Sequence, residues 1–218
     1  MNKEEWKEEV KKREHYGPCY YEVYDEFLPE IEFAQLKQYL GKGGDFPWYT
    51  SPHINLHDVN GEDFYFATLV YLNTVRAKEE WSQGITLEPF LNLTQKLHIN
   101  ALIRIKANMY FKIKNEIDIH APHVDYDYFH NGALFFLTNC NAPTLMADGT
   151  EIESKENRLL LFNSATPHSS SAPTDKLFRQ TININYFGGG VNAKYTDTAR
   201  RKLVVSKHEK DDLRTLEK

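Results

Sequence analysis

The chain has 218 residues, 41% hydrophobic and 13% aromatic, with a net charge of −5. That size suits one folded core, and the acidic balance argues against a protein that coats nucleic acid through bulk charge, although it leaves room for a local basic groove. Two cysteines, Cys19 and Cys140, exclude a disulfide framework and a thiolate zinc cluster. The charged N-terminus and the lack of any apolar run near the ~18 residues of a membrane span fit a soluble protein of a reducing compartment, the cytoplasm.

In chain order, the first fifteen residues read as a helix, an appended arm or a frayed end, with Trp6 and Val10 four apart and Glu8–Lys12 as an i,i+4 pair. The aromatic and β-branched run YYEVYDEF reads as a strand. LPEIEFAQLKQYLGKGG follows as a helix, with Pro29 in its first turn, Leu28, Ile31, Leu36 and Leu40 at helical spacing, and Gly41 at its end. FPWYTSPHI is an aromatic loop or short strand, and EDFYFATLVYLNTV fits strand or helix. TLEPFLNLTQKLH is helical, with Thr86 at its N-cap. Without repeats or linkers, residues 1–218 read as one domain: a support region (1–100), a core (101–187) and a C-terminal extension (188–218).

From residue 101 the period changes to two. In ALIRIKANMYFKI, Ile103, Ile105, Ala107, Met109, Phe111 and Ile113 share one face; Arg104, Lys106, Asn108, Tyr110 and Lys112 share the other. GALFFLTN and RLLLFN are apolar strands suited to cover on both sides. FRQTININYF alternates again, with Phe178, Ile182, Ile184 and Tyr186 against Arg179, Thr181, Asn183 and Asn185. Helices followed by a run of strands predict a mainly β fold, a sandwich or barrel with helices packed on one sheet. If the helices cover the apolar faces, the polar faces line a cavity; for either strand alone, plain solvent is the simpler destination.

HAPHVDYDYFH, from His120 to His130, holds three histidines and two aspartates. His123 and Asp125, two apart, project to one side of a strand and can reach one ion, with His168 in LFNSATPHSSSAP as the best third ligand. Two histidines and a carboxylate suit iron, manganese or zinc, and leave the open positions that non-haem iron oxygenases use. His120, Asp127 and His130 are rivals within the same stretch, and Asp127 could instead contact substrate. Eleven residues after His168, Arg179 lies on a polar face where a guanidinium needs an anion; it can grip a carboxylate with two hydrogen bonds, and Thr181 can add a hydroxyl.

HVD, then PH some 45 residues on, then RQT, together with DGTEIESKENRLLLFNSATPHSS and the opening VYDEFLPEIEFAQLKQYL, resembles the Fe(II)/2-oxoglutarate-dependent oxygenases, in particular their prolyl 4-hydroxylase-like branch with small phage and bacterial members. The resemblance spans about residues 20–190 and is most specific over 100–187. It implies a double-stranded β-helix (jelly-roll) core, Fe(II) on His123, Asp125 and His168, and Arg179 and Thr181 on the distal carboxylate of 2-oxoglutarate. It also implies Tyr110 or Asn108 as a further cosubstrate contact. The implied activity consumes O2 and 2-oxoglutarate, releases succinate and CO2, and hydroxylates a C–H bond. The carboxylate at Asp125 argues for hydroxylation over halogenation, and arginine at 179, where prolyl hydroxylases often carry lysine, points to a relative rather than to the collagen-type enzymes themselves.

A peptidyl proline is the leading substrate, with Trp48 and Tyr49 of DFPWYTSPH as one wall of a peptide groove. A nucleotide or nucleic acid has only the basic run ARRKLVVSKHEK for support, which otherwise reads as a solvated helix; small metabolites remain open. The competing functions are a non-catalytic metal-binding jelly roll and a zinc or manganese enzyme of another class, which has no use for Arg179.

Overall fold

The structure, a computed structural model, describes residues 1–16, 19–41, 46–51, 65–73, 85–191 and, as backbone only, 200–204. The elements are α1 (Lys3–Lys11), β1 (Tyr21–Asp25), α2 (Glu30–Leu40), β2 (Tyr49–Ser51), β3 (Tyr65–Leu72), a 3₁₀ turn (Glu88–Phe90) leading into α3 (Leu91–Gln95), β4 (Leu97–Phe111) and β5 (Asp118–Ile119). They continue with β6 (Asn131–Phe136), β7 (Cys140–Met146), β8 (Glu151–Ser154), β9 (Arg158–Asn163), β10 (His168–Ser169), β11 (Ser171–Ala172), β12 (Phe178–Val191) and β13 (Arg200–Val204).

One sheet runs β13-β1-β9-β6-β12-β4-β3-β2; facing it are a three-stranded sheet, β10-β7-β8, and the pair β11-β5. Alternation along the strands of the large sheet makes two separate cores. On its outer face, Ile182, Ile184 and Tyr186 join Ile105, Ala107, Ala133, Phe135, Leu159 and Leu161 beneath Leu36 and Leu40 of α2 and Phe90 and Leu93. On its inner face, Tyr21, Val23, Leu134, Phe136, Leu160 and Phe162 meet Met146 and Ile152 of the small sheet. Each such buried side chain is worth roughly 1.5–3 kcal/mol, so burial holds the layers together. The result is the expected jelly roll, with α2 and α3 on the outside of the large sheet and α1, contrary to the expectation of helices on one sheet, docked against the smaller strands.

Several elements differ from their local signals. Ile31 is 74% exposed, and half-buried Phe33 meets Phe135 edge-on at 5.9 Å. Phe33, Leu36 and Leu40 follow the three-and-four spacing of one stripe, whereas Ile31 lies roughly 140° round the helix from Leu36. Pro29 stands outside the first turn as the N-cap. Gly41 does cap α2: a Cβ there would come within 2.7 Å of the Lys37 carbonyl oxygen.

The N-terminal helix is a docked part of the fold. Trp6 and Val10 are buried with Ile119 and Leu145, and Trp6 Nε1 donates to Ser169 Oγ at 2.7 Å. Its ion pairs within the helix are i,i+3, and Lys12 pairs with Glu9 in place of the expected Glu8. The helix expected around residues 86–98 stops at Gln95, because Leu97 already packs into the outer core as part of β4. The ambiguous run at 65–72 is a strand. Within the basic C-terminal run, Arg200–Val204 pairs with β1 as an edge strand and is not helical; the remainder lies outside the described residues. Among the described residues, no helix is long and apolar enough to cross a membrane.

Candidate metal centre

The polar sides of β4 and β12 join into one continuous face of the sheet, with Tyr110 beside Arg179, Asn108 beside Thr181, Lys106 beside Asn183, and Arg104 beside Asn185. Continuing across β6, the same face carries Phe136, Leu134 and Gly132. The inner layer is therefore apolar under β6, β9 and β1 and polar under β12 and β4. A cavity opens where the two halves meet, and its lining includes Asn108, Tyr110, His123, His168, Arg179 and Thr181.

The stretch 120–130 crosses the end of this space and is laced to the turn after β9. His120 N donates to Ser170 O at 3.1 Å, and the backbone amides of His123 and His168 each donate to the other's carbonyl at 3.0 Å. Asp125 N donates to Ser164 O at 3.0 Å. These bonds bring ligand atoms of His123, Asp125 and His168 to within 4.8 Å of one another. His168 Nδ1 lies 3.0 Å from the Thr166 carbonyl, which can only accept, so that nitrogen carries the proton and Nε2 is free to bind a metal. His123 Nδ1 faces the Ala121 carbonyl in the same sense at 3.4 Å. Burial, reinforced by the His168 ring, pushes His123 down to about 3, which keeps it neutral as a ligand must be.

Asp125 is held from four sides. Arg104 Nη2 donates to Oδ1 at 2.7 Å; Ser164 Oγ, Asn185 Nδ2 and Asn183 Nδ2 donate to Oδ2 at 2.6, 2.8 and 3.1 Å. Burial alone would raise this carboxyl, but the Arg104 charge and the neighbouring donors outweigh it and hold the group well below the usual carboxylate range. The carboxylate is thus anionic and oriented before any ion arrives.

The rival residues lie elsewhere. His120 Nδ1 bonds Ser170 Oγ at 2.8 Å, and its ring packs on Tyr110. His130 Nε2 already meets Asn185 Nδ2 at 3.1 Å, so it braces a residue that holds Asp125. Asp127 is exposed. Trp48 departs from the expected groove wall: its ring packs against Phe46 in the outer core, and its Nε1 donates to Leu40 O. Tyr49 is 40% exposed and pairs with Ala67 on the cavity side of the sheet edge. Asp45, Pro52 and His53 of that segment lie outside the described residues.

Arg179 is fully buried. Its Nη2 donates to Thr144 Oγ1 at 2.6 Å and its Nη1 to Ser171 O at 3.2 Å, with the rings of Phe136 and Tyr110 5.5 and 5.9 Å from the guanidinium carbon. Among the described residues, Nε has no partner and no carboxylate pairs with the group. A buried cation without an anion is costly, so the site suits an anionic ligand. Arg104, Asn183 and Asn185 were legible as polar-face residues, but their shared target, Asp125, was not. Thr144 and Ser164 had no distinguishing local pattern.

No family model matches the chain, and no curated protein matches it by sequence. Among solved structures, it is similar to a prolyl hydroxylase from Trichoplax adhaerens in complex with a hypoxia-inducible-factor oxygen degradation domain peptide fragment, with 13% identity, 86% of this chain and 94% of that one covered, and a TM-score of 0.53. It also matches a Pseudomonas putida prolyl-4-hydroxylase (14% identity, 78% and 94% covered, TM-score 0.45). A third match is a viral collagen prolyl hydroxylase from Paramecium Bursaria Chlorella virus-1 (15% identity, 81% and 96% covered, TM-score 0.43). The first of these likenesses is one of fold.

Proposed function

We propose that this chain is an Fe(II)- and 2-oxoglutarate-dependent oxygenase that hydroxylates a C–H bond, with release of succinate and CO2. The observation that carries this reading is the fully buried Arg179, without a carboxylate partner among the described residues, in the same cavity as the His123–His168 pair. A neutral two-histidine, one-carboxylate set suits Fe(II), and a guanidinium set back from it suits the far carboxylate of a dicarboxylic acid. When bound, the iron supplies the chemistry that couples O2 reduction to oxidative decarboxylation of 2-oxoglutarate and to substrate oxidation.

The chain's own residues hold and orient. His123 and His168 present Nε2, and Asp125 presents a carboxylate oxygen steadied by Arg104, Ser164 and Asn185. Arg179 takes the distal carboxylate with Thr181 beside it, and Tyr110 and Asn108 line the space between Arg179 and the histidines. Phe136 and Phe162 close the apolar side and exclude water. A peptidyl proline is the substrate class that the sequence resemblance implies, and one of the structures similar in fold carries a bound peptide. Tyr128, Phe129 and Phe187 are exposed, with Tyr128 stacked on Phe187 at 5.9 Å, and such aromatic surface suits contact with a substrate. The test is an anaerobic titration of Fe(II)-loaded protein with 2-oxoglutarate, followed by metal-to-ligand absorption, and succinate release on admission of O2. A protein that binds Fe(II) but neither binds nor turns over 2-oxoglutarate would refute the reading.

A further inference from the structure

Beyond the ligands and Arg179, the inward face of β4 and β12 carries two groups with chemistry still unmatched among the described residues. Lys106 lies on β4 between Arg104 and Asn108, on the same inward face and directly opposite Asn183. Its ammonium donates to the Tyr65 hydroxyl and lies 4.9 Å from the centre of the Tyr65 ring, which itself stacks on Tyr110. Arg104 is matched by Asp125, and Arg179 has the cosubstrate carboxylate as its proposed partner. Lys106 meets no carboxylate among the described residues. Burial, and then the Arg104 charge, push this ammonium down from its ordinary value, the direction expected of a cation awaiting a counter-charge.

Asn183 is the second group. Its Nδ2 donates to Asp125 Oδ2 at 3.1 Å, and because a carboxylate only accepts, this fixes which end of the amide points away. That end, Oδ1, is buried without a partner among the described residues. Asn183 is 9% exposed and lines the cavity. A buried acceptor left open costs free energy unless a donor arrives. Beside the proposed metal ligand Asp125, the protein thus offers a cation and an acceptor that are unmatched among the described residues, side by side on adjacent strands.

We infer that the substrate is a free amino acid, whose carboxylate meets the Lys106 ammonium and whose amino group donates to Asn183 Oδ1. This rests on the oxygenase reading and changes its substrate from a residue within a peptide to the free acid. A residue inside a peptide keeps an N–H for Asn183 but has no carboxylate for Lys106. A free α-amino acid has both, one carbon apart, and that matches two groups on directly opposed strand positions. Hydroxylation then falls on the amino acid's side chain: one oxygen atom of O2 enters the C–H bond as hydroxyl, and the other leaves in succinate as 2-oxoglutarate loses CO2.

The test begins with wild-type protein loaded with Fe(II) and 2-oxoglutarate under anaerobic conditions. Absence of the metal-to-ligand band there refutes the oxygenase reading itself. With the band present, free amino acids, their N-acetyl amides, and capped peptides containing proline or an acidic residue are titrated. Binding is read by calorimetry and by perturbation of the band, and turnover by a mass gain of one oxygen. The expected result is that a free amino acid binds and is hydroxylated, and that its N-acetyl amide binds about tenfold more weakly or worse. Lys106→Met should weaken the free acid by a similar factor, and Lys106→Arg should recover part of it. Binding of capped peptides alone, whether neutral or acidic, would overturn the inference. So would a Lys106→Met protein that loses affinity for 2-oxoglutarate and keeps its affinity for the amino acid, because the ammonium would then belong to the cosubstrate.

Discussion

His123 and His168, 45 residues apart in the chain, form a single antiparallel bridge in which each backbone amide donates to the other's carbonyl at 3.0 Å. The bridge sets their rings 4.6 Å apart between centres. Asp125 enters the same group because its own amide is tied to Ser164, the residue that follows β9. A backbone interaction thus assembles the candidate centre, and side-chain bonds then orient it.

From this relationship, His123→Ala and His168→Ala should each abolish tight Fe(II) binding. His120→Ala and His130→Ala should keep most of it, since those rings bond Ser170 and Asn185 respectively. Metal content after anaerobic loading and desalting measures the four variants. Loss of iron in His120→Ala with retention in His123→Ala would move the site along the loop.

Arg179 should act on the cosubstrate and not on the metal. A hydrogen bond to a charged group contributes roughly 1.5–3 kcal/mol, so Arg179→Met should weaken 2-oxoglutarate binding by roughly ten- to a hundredfold or more, with Fe(II) affinity in its absence nearly unchanged. Arg179→Lys should fall between, because an ammonium keeps the charge and loses the fork. The anaerobic absorption titration separates the three proteins.

Gly132 faces the turn that carries Ser164: a Cβ built there would lie 2.4 Å from Ser164 Oγ and 2.9 Å from Phe162 Cε1. Gly132→Ala must displace the hydroxyl that donates to Asp125 at 2.6 Å. It should cost about 1–3 kcal/mol of stability as an overpacked site and also weaken Fe(II) binding. Ser164→Ala should reproduce the metal effect without the steric component, and comparing denaturation midpoints with metal affinities distinguishes the two.

Burial pushes His120 down to about 3 from an ordinary 6.5. The unfolded chain then binds a proton that the folded one excludes, so stability is complete above about pH 6.5 and falls as the pH drops toward 3, by up to about 1.4 kcal/mol per pH unit for this residue. Denaturant unfolding of metal-free wild type should therefore show lower stability near pH 5 than at pH 7. His120→Gln should reduce that difference, with His123, pushed down in the same sense, contributing the remainder; an unchanged slope would mean that the His120 ring is protonated in the fold.

Trp6 links α1 to the strand that begins with His168. Trp6→Ala should destabilise the protein by about 3–5 kcal/mol through the cavity it leaves. Trp6→Phe, which keeps most of the ring and loses the bond to Ser169, should cost less. Thermal unfolding ranks the two, and equal stability of Trp6→Ala and wild type would return α1 to the status of a loose arm.

Much of the site was legible because strand alternation is a local property. The period of two in residues 101–113 and 178–187 placed Asn108, Tyr110, Arg179 and Thr181 on polar faces before any partner was known, and the spacing of His123 and Asp125 marked a shared direction. Apolar spacing also marked α2, although it misplaced Ile31, because an isolated apolar residue can be left in water at little cost while Phe33 fills the core. What the sequence by itself could not determine was which strands lie next to which. The opposition of Arg179 and Tyr110, the convergence of Arg104, Ser164 and Asn185 on Asp125, and the unmatched pair of Lys106 and Asn183 are all contacts between distant segments. They depend on the order β9-β6-β12-β4 and its register, and long-range ladder pairing sets these, since a local pattern says which way a side chain points but not what it meets there.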